Sequence, residues 1–203
     1  MEKAELMEHF EKTSLYGDMD QILYRICFHG APMIKRLKPA SLICFGNSTG
    51  KELMELWDRH KEELKTILPF HFFEIKRCGN GVQVLFFWKD WLERIMNASM
   101  NNGFLKERGY VGATTLEDYL HILQEHFQKG CPHEIGIFLG YPLSDVIAFS
   151  SCEKKECIEV GYWKVYSNQE RARKLFGLYD RSRLAVVSML SSGAKPLSVI
   201  RCA

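Results

Sequence analysis

Apolar residues recur along this chain at two spacings, one typical of helices and one typical of strands. Residues 51–68 carry leucine, isoleucine and tryptophan near helical spacing, with charged residues between them. The short apolar run at 41–45 has the length of a buried strand instead. Two further runs, 70–77 and 81–88, are joined by Cys78-Gly79-Asn80, which is a hairpin signal. The pattern therefore predicts that helices and strands alternate along the chain.

This alternation predicts a set of elements and a fold class. Helices are expected at 3–11, 18–28, 51–68, 90–100, 105–109, 115–127, 143–149 and 169–190, and strands at 41–45, 70–77, 81–88, 134–140 and 158–166. Gly30 and Pro32 are expected to end the second helix, and Gly193 and Pro196 the last one. Such interleaving predicts a mixed α/β (α+β) fold, with one mixed sheet of about five strands and helices packed on it.

No linker-like stretch divides the 203 residues, so we expect a single domain over 1–203. Within it we distinguish a helical N-terminal segment (1–40), an α/β half (41–110) and a β-α-β-α half (111–203). A turn at 46–50 and a charged turn at 153–156 separate elements within the two halves.

Composition narrows the class of protein without indicating a function. The formal net charge is +2, from 27 basic and 25 acidic residues, which argues against general binding to nucleic acid because such binding depends on neutralising phosphates. No window approaches the ~18 consecutive apolar residues of a membrane span. The charged first residues differ from a signal peptide, so we expect a cytoplasmic location. The oligomeric state and the partner, whether a protein or a small molecule, stay open.

The 7 cysteines, an odd number without any Cys-x-x-Cys pair, predict reduced thiols rather than a disulfide scaffold or a zinc site. His121 and His126 do not share one helix face, as a metal-binding pair four positions apart would. Gly46-x-x-x-Gly50-Lys51 is too short for a phosphate-binding loop, and Glu52 replaces the hydroxyl residue of that motif. The sequence therefore predicts no metal site and no cofactor.

Residues 131–167 concentrate polar side chains among glycines and apolar runs. The segment begins with Cys131-Pro132-His133-Glu134, which brings a thiol, an imidazole and a carboxylate close in sequence. His133 is a candidate general base, Glu134 a candidate to orient it, and Lys164 a candidate to hold an anionic substrate. Neighbouring residues of a strand point to opposite faces, however, so a strand at 134–140 would separate His133 from Glu134.

The same segment supplies a candidate ligand-binding rim. Gly136 and Gly140, in a predicted strand, indicate close approach of a helix, a bulge or a ligand. In 161–166, Trp163 and Val165 are expected to face the core, because they alternate with the polar positions. We expect the polar residues at the strand ends to meet in one rim, which consists of His133, Tyr141, Asp145, Lys164 and Tyr166.

Two motifs are specific enough to mark a family, P-H-E-I-G-I-F-L-G-Y-P-L-S-D-V at 132–146 and G-Y-W-K-V-Y at 161–166. With H-G-A-P at 29–32 and K-P-L-S-V at 195–199, they resemble an uncharacterised family of short proteins from anaerobic Gram-positive bacteria, catalogued as a domain of unknown function. The family often has a cysteine before its Ala-Pro pair, where this chain has Gly30, which argues against an essential thiol there. The resemblance implies no established activity and at most a redox or metal-homeostasis context.

Three functional hypotheses follow. The first is a cytosolic protein that binds a partner protein or a small ligand at the rim. The second is a small enzyme with the same residues, in which His133 acts as general base and Lys164 or Tyr166 holds an anionic substrate. The third is an accessory protein of a redox or metal pathway that uses cysteine thiolates. The sequence does not decide whether the protein is an enzyme.

Overall fold

The structure, a computed structural model, describes residues 17–46, 52–79, 81–151 and 156–202. Nine helices and five strands lie in these ranges. The helices are α1 (Asp18–Ile34), α2 (Glu52–Ile67), α3 (Lys89–Asn97), α4 (Ser99–Lys106), α5 (Leu116–Lys129), α6 (Ile135–Phe138), α7 (Leu143–Ser150), α8 (Gln169–Ser191) and α9 (Pro196–Arg201). The strands are β1 (Ala40–Gly46), β2 (His71–Cys78), β3 (Gly81–Phe87), β4 (Glu159–Val160) and β5 (Lys164–Val165). The predicted helix at 3–11 and the turn residues 47–50 and 153–155 lie outside the described residues.

The five strands form two separate sheets. β1, β3 and β2 are neighbours in that order, all antiparallel, and β2 and β3 form the predicted hairpin. β4 and β5 pair only with each other, as a two-stranded antiparallel hairpin. The fold is therefore mixed α/β, as predicted, but the prediction of one mixed sheet of five strands is wrong.

One predicted strand is missing because residues 134–140 fold as the short helix α6. All four residues of this helix are buried, and a short apolar run without alternation does not distinguish a strand from a buried helix. Its backbone hydrogen bonds are local: the amide of Ile137 donates to the carbonyl of Glu134 (2.9 Å), and that of Gly140 donates to Ile137 (3.0 Å). The amides of Ile135, Gly136 and Leu139 likewise donate to carbonyls of residues 132–135, so these donors serve the turn and not a neighbouring strand.

The second predicted strand, 158–166, is shortened because it folds back on itself. The amide of Gly161 donates to the carbonyl of Trp163 (3.0 Å), which makes the turn between β4 and β5. A Cβ at Gly161 would lie 2.2 Å from Cε2 of Phe176, so this turn fits closely against α8. As predicted, Trp163 and Val165 are buried.

Two predicted helix boundaries are also wrong. α1 does not end at Gly30 and Pro32 but continues to Ile34, and every residue from 30 to 34 is buried. Packing of this last turn outweighs the cost of proline inside a helix, which is about 3 kcal/mol. The predicted helix at 90–100 divides at Ala98, whose ψ of 123° is extended, into α3 and α4.

Side chains explain the break between α3 and α4. The amide side chain of Asn101 donates to the carbonyl of Ile95 (3.0 Å), and that of Asn102 donates to Met96 (3.4 Å). These bonds satisfy two carbonyls at the end of α3 that a continuous helix would have satisfied by itself. α5 begins as predicted, because Thr115 and Asp118 form a reciprocal capping box.

The three-stranded sheet carries a hydrophobic cluster on each face. Along β3, Val82, Val84 and Phe86 belong to one cluster, and Leu85 and Phe87 belong to the other. The first cluster packs against α1, α2, α8 and α9, and the second against α3 to α7. A smaller third cluster joins β5 to α8, and Tyr141 packs against both the second and the third. The described helices include none that is long and apolar enough to cross a membrane.

Candidate functional site

Four of the five predicted rim residues line one pocket of about 240 Å³, which lies between the segment leading into α6, helix α7 and strand β5. They are His133, Tyr141, Asp145 and Lys164. The remaining lining residues are Cys131, Pro132, Ile135, Gly136, Val146, Phe149 and Trp163. Apart from Cys131, these additional residues carry apolar or no side chains, so the wall of the pocket is mostly apolar.

Glycines hold α6 and α7 close enough to form this pocket. A Cβ at Gly136 would lie 2.7 Å from Cγ2 of Val146, so only glycine allows the two helices to pack at this distance. Gly140 has a φ of +79°, and a Cβ there would lie 2.4 Å from Cδ of Pro39. Gly136 confirms the predicted close approach of a helix, although in a helical turn rather than in a strand, whereas Gly140 meets Pro39 in the loop before β1.

Asp145 ties α7 to the junction between β5 and α8. Its Oδ2 accepts a hydrogen bond from the indole of Trp163 (2.8 Å). Its Oδ1 accepts from the amides of Tyr166 (3.0 Å) and Ser167 (2.9 Å) and from the Ser167 hydroxyl (2.9 Å). The residue is only 2% exposed, and the four hydrogen bonds saturate its carboxylate with donors. Asp145 therefore holds the pocket wall in place.

The floor of the pocket is aromatic and its mouth is cationic. Tyr141 and Trp163 stack with ring centroids 5.0 Å apart. At the exposed side, the rings of His133 and Phe149 lie 4.7 Å apart, and Nζ of Lys164 lies 5.5 Å from the centre of the Phe149 ring. Among the described residues, no carboxylate forms an ion pair with His133 or with Lys164.

Tyr166 is the rim residue that the structure does not place in the pocket lining. Its side chain is half-buried, and its contribution to the site is a backbone amide that donates to Asp145 (3.0 Å). The turn at Gly161 shortens β5, so the alternation that was expected to carry Tyr162, Lys164 and Tyr166 along one face does not continue through the segment. Tyr162 instead donates from its hydroxyl to Asp180 (2.7 Å).

Glu134, a candidate to orient His133, has a different partner. Its carboxylate is 6% exposed, and its Oε1 lies 2.6 Å from Nδ1 of His126 on α5 and accepts from the hydroxyl of Tyr110 (3.3 Å). Burial and the neighbouring Glu134 carboxylate raise the pKa of Tyr110, so this hydroxyl stays a donor. Sequence analysis considered His126 only as a possible metal ligand, and no motif marks its contact with Glu134, because that contact spans the loop around Gly130 between two elements.

The described residues contain no group of three or more His, Cys, Asp or Glu side chains arranged to hold a metal ion. Cys131 is the cysteine that lines the pocket, and it is exposed. The cysteine that burial affects most is Cys27 in α1, which is 0% exposed and whose thiol pKa burial raises. A raised pKa keeps that thiol protonated, and it donates to the carbonyl of Pro196 (3.4 Å) as a packing group.

The fold and the pocket together define a class, a mixed α/β protein with a small apolar pocket whose mouth is cationic. The geometry alone does not name a ligand or a reaction. A family model matches residues 26–200, and the chain belongs to the family described as "Protein of unknown function (DUF3793)". The resemblance to a family of unknown function is thereby confirmed, and the function is unknown. No curated protein and no solved structure matches the chain.

Proposed function

We propose that this protein binds a small amphipathic molecule, with its apolar body inside the pocket and an anionic group at the mouth. The observation that carries the proposal is the contrast between the two ends of the pocket. Ile135, Val146 and Trp163 line the buried end, whereas Lys164 and His133 stand at the exposed end. Such a division is typical of sites where apolar walls supply affinity and a few polar groups orient the ligand.

The size of the pocket limits the apolar body. A volume of about 240 Å³ equals about eight water volumes at ~30 Å³ each, which corresponds to a single ring with a short side chain. Because Tyr141 and Trp163 stack on each other, they form one fixed aromatic floor and leave no slot between them for a ligand ring. The expected ligand class is therefore an aromatic or short-chain carboxylate or a comparable monoanion.

Lys164 is expected to supply most of the preference for an anion. Its ammonium lies beside Phe149, which is 42% exposed, so a ligand seated in the pocket would shield both groups from water. A hydrogen bond to a charged group contributes about 1.5–3 kcal/mol when it is removed from water and less at an exposed site. We therefore expect an acid to bind about tenfold more tightly than the alcohol of the same shape.

The direct test uses 3-phenylpropionate and its neutral analogue 3-phenylpropan-1-ol, titrated by calorimetry and by ¹H–¹⁵N NMR. The reporter is the indole N–H of Trp163, because that group lines the pocket and donates to Asp145. The proposal expects both compounds to shift this resonance and the acid to bind more tightly. It is overturned if neither compound shifts the resonance, or if the alcohol binds as tightly as the acid.

Three variants separate the parts of the site. Phe149→Ala is expected to weaken both compounds, because it removes an exposed wall, and Lys164→Gln is expected to weaken only the acid. Lys106→Gln is the matched control, since Lys106 is an exposed lysine at the end of α4, outside the pocket lining. Equal weakening of the acid by Lys164→Gln and Lys106→Gln would mean that the anion is held by general charge and not at the mouth.

The second hypothesis, an enzyme in the same pocket, receives less support from the geometry. Glu134 contacts His126 rather than His133, and Asp145 is saturated by four donors. His133 is therefore not oriented by a carboxylate from among the described residues, which a general base of this type requires. Ligand binding without chemistry remains the function that the pocket supports best.

A further inference from the structure

Outside that pocket, three titratable side chains meet where α5 approaches the segment before α6. The buried carboxylate of Glu134 contacts Nδ1 of His126 at 2.6 Å and accepts from the Tyr110 hydroxyl at 3.3 Å. Tyr110 is 0% exposed, and its ring stands edge-on to His126 with centroids 5.2 Å apart. These contacts hold the imidazole from two sides.

The contact with Glu134 determines which nitrogen of His126 is available. A carboxylate on Nδ1 favours the form in which Nδ1 carries the proton, and leaves Nε2 as the free nitrogen. Nε2 has no hydrogen-bond partner among the described residues, and the side chain is 24% exposed. Gly109 lies beside this atom, since a Cβ there would be 3.7 Å from Nε2, an ordinary van der Waals distance.

His126 lines an open groove of about 410 Å³, in which basic side chains outnumber the one carboxylate. Arg108, Lys129, Pro132, His133 and Ser150 line it together with His126 and Glu134. The Arg108 guanidinium lies 3.6 Å from the centre of the Phe104 ring and donates to the Ser150 hydroxyl (2.7 Å). Among the residues that the structure covers, neither Arg108 nor Lys129 forms an ion pair with a carboxylate.

We propose that this groove is a second binding site, for a molecule that carries a phosphoryl group, and that His126 takes up a proton when the group binds. Glu134 also lines the groove, but its Oε1 contacts His126 and Tyr110, and among the described residues it forms no ion pair with Arg108 or Lys129. A guanidinium fixed by stacking and by one hydrogen bond still offers donors in a planar fork, which suits the oxygens of phosphate. The protonated Nε2 adds a third donor.

The proposal does not depend on the function assigned to the apolar pocket, although Pro132 and His133 line both sites. A purely structural role for His126, as a link between α5 and the α6 segment, makes a different prediction. It requires the contact with Glu134 but no response to an anion. Protonation coupled to phosphate binding therefore separates the two interpretations.

The test is an NMR titration of the histidine side chains in sodium phosphate, sodium acetate and sodium chloride at equal ionic strength. The groups that face the His126 imidazole are Glu134, Tyr110, Arg108, Lys129 and His133. Bound phosphate adds negative charge near Nε2, and an opposite charge favours the protonated imidazole, so the His126 ring signals are expected to shift when phosphate is added at constant pH. His121, an exposed histidine on the same helix, serves as the internal control.

Variants make the result specific. Arg108→Gln is expected to weaken phosphate binding about tenfold or more, whereas Lys106→Gln should leave it unchanged. Glu134→Gln should reduce the response of the His126 ring signals to phosphate, since it removes a carboxylate that favours the protonated imidazole. If this variant unfolds, Arg108→Gln still decides the matter, because Arg108 lies at the surface end of the groove. The proposal is overturned if His126 titrates identically in phosphate and chloride, if His121 responds equally, or if acetate has the same effect as phosphate.

Discussion

Lys38 is a buried cation, and removal of its charge is expected to stabilise the protein. The residue is 7% exposed, and its Nζ lies 5.6 Å from the centre of the Tyr141 ring. In the described parts of the chain, no carboxylate forms an ion pair with it. Burial, with a smaller contribution from the nearby Arg183 guanidinium, lowers the pKa of Lys38 from 10.5 to about 8.

This pKa gives both the size and the sign of the effect. A fall from 10.5 to about 8 makes the protonated form less favourable in the folded than in the unfolded chain by ~3 kcal/mol. Because the folded pKa is the lower one, the unfolded chain binds more protons between pH 8 and 10.5, and the free energy of unfolding rises with pH through that window. Below pH 8 the full penalty is present. We expect Lys38 alone to add about 2–3 kcal/mol between pH 7 and pH 10.

The variant Lys38→Met removes the charge and keeps an unbranched side chain. At pH 7 it should raise the free energy of unfolding by about 2 kcal/mol, since it also loses a cation–π contact of ~0.5–1 kcal/mol with Tyr141. Urea denaturation followed by tryptophan fluorescence at pH 7 and pH 10 measures this difference, which should largely disappear at pH 10. Lys195→Met, at an exposed lysine, is the control and should change little. A destabilised Lys38→Met at pH 7, or a gap that is equal at both pH values, would refute the reasoning.

Two further predictions concern the residues that build the apolar pocket. Asp145→Asn places an amide NH₂ against groups that all donate, so the free energy of unfolding should fall by about 2–3 kcal/mol. Ser144→Ala is the control and should lower it by less than ~1 kcal/mol. Urea denaturation measures both variants, and equal losses would contradict the anchoring role of Asp145. Gly140→Ala meets Pro39 and has a φ of +79°, so it should cost about 2 kcal/mol or more. Gly193 also has a positive φ, of +89°, but a Cβ there would meet open space. The free energy of unfolding of Gly193→Ala should therefore fall only by the cost of the backbone conformation. A loss as large as that of Gly140→Ala would exclude the steric contact with Pro39 as the cause.

Local patterns predicted much of the fold, and long-range packing explains where they failed. The β2–β3 hairpin and the start of α5 depend on nearby residues, such as the capping pair Thr115 and Asp118, so the sequence was sufficient for them. The end of α1 depends on burial of the turn around Pro32 by other elements, which no local rule reports. The prediction of a strand where the short apolar helix α6 lies failed for a different reason, because four buried residues in succession are compatible with either a strand or a helix.

In the candidate sites, too, local patterns predicted some features and long-range packing determined the others. Segments 132–146 and 161–166 were predicted to supply one rim, and the structure brings His133, Tyr141, Asp145 and Lys164 to one pocket. Sequence patterns did not show that Asp145 uses its hydrogen-bonding capacity inside the protein, because that depends on donors from Trp163, just before β5, and from Tyr166 and Ser167, between β5 and α8. Whether the remaining rim residues bind a ligand stays a prediction.

The turn between α5 and α6 explains why the apolar pocket and the groove are neighbours but have different chemistry. Had 134–140 been a strand, His133 and Glu134 would simply have pointed to opposite faces of a sheet. In the helical turn, Glu134 is buried against His126 and Tyr110, while His133 is exposed and lines both the pocket and the groove. The Glu134 carboxylate is therefore withdrawn from the apolar pocket, where Asp145 is already saturated by its four donors, and it contacts the imidazole of His126 in the groove. The position of Glu134 thus separates an apolar pocket with Lys164 at its mouth from a groove in which a histidine is held by a carboxylate.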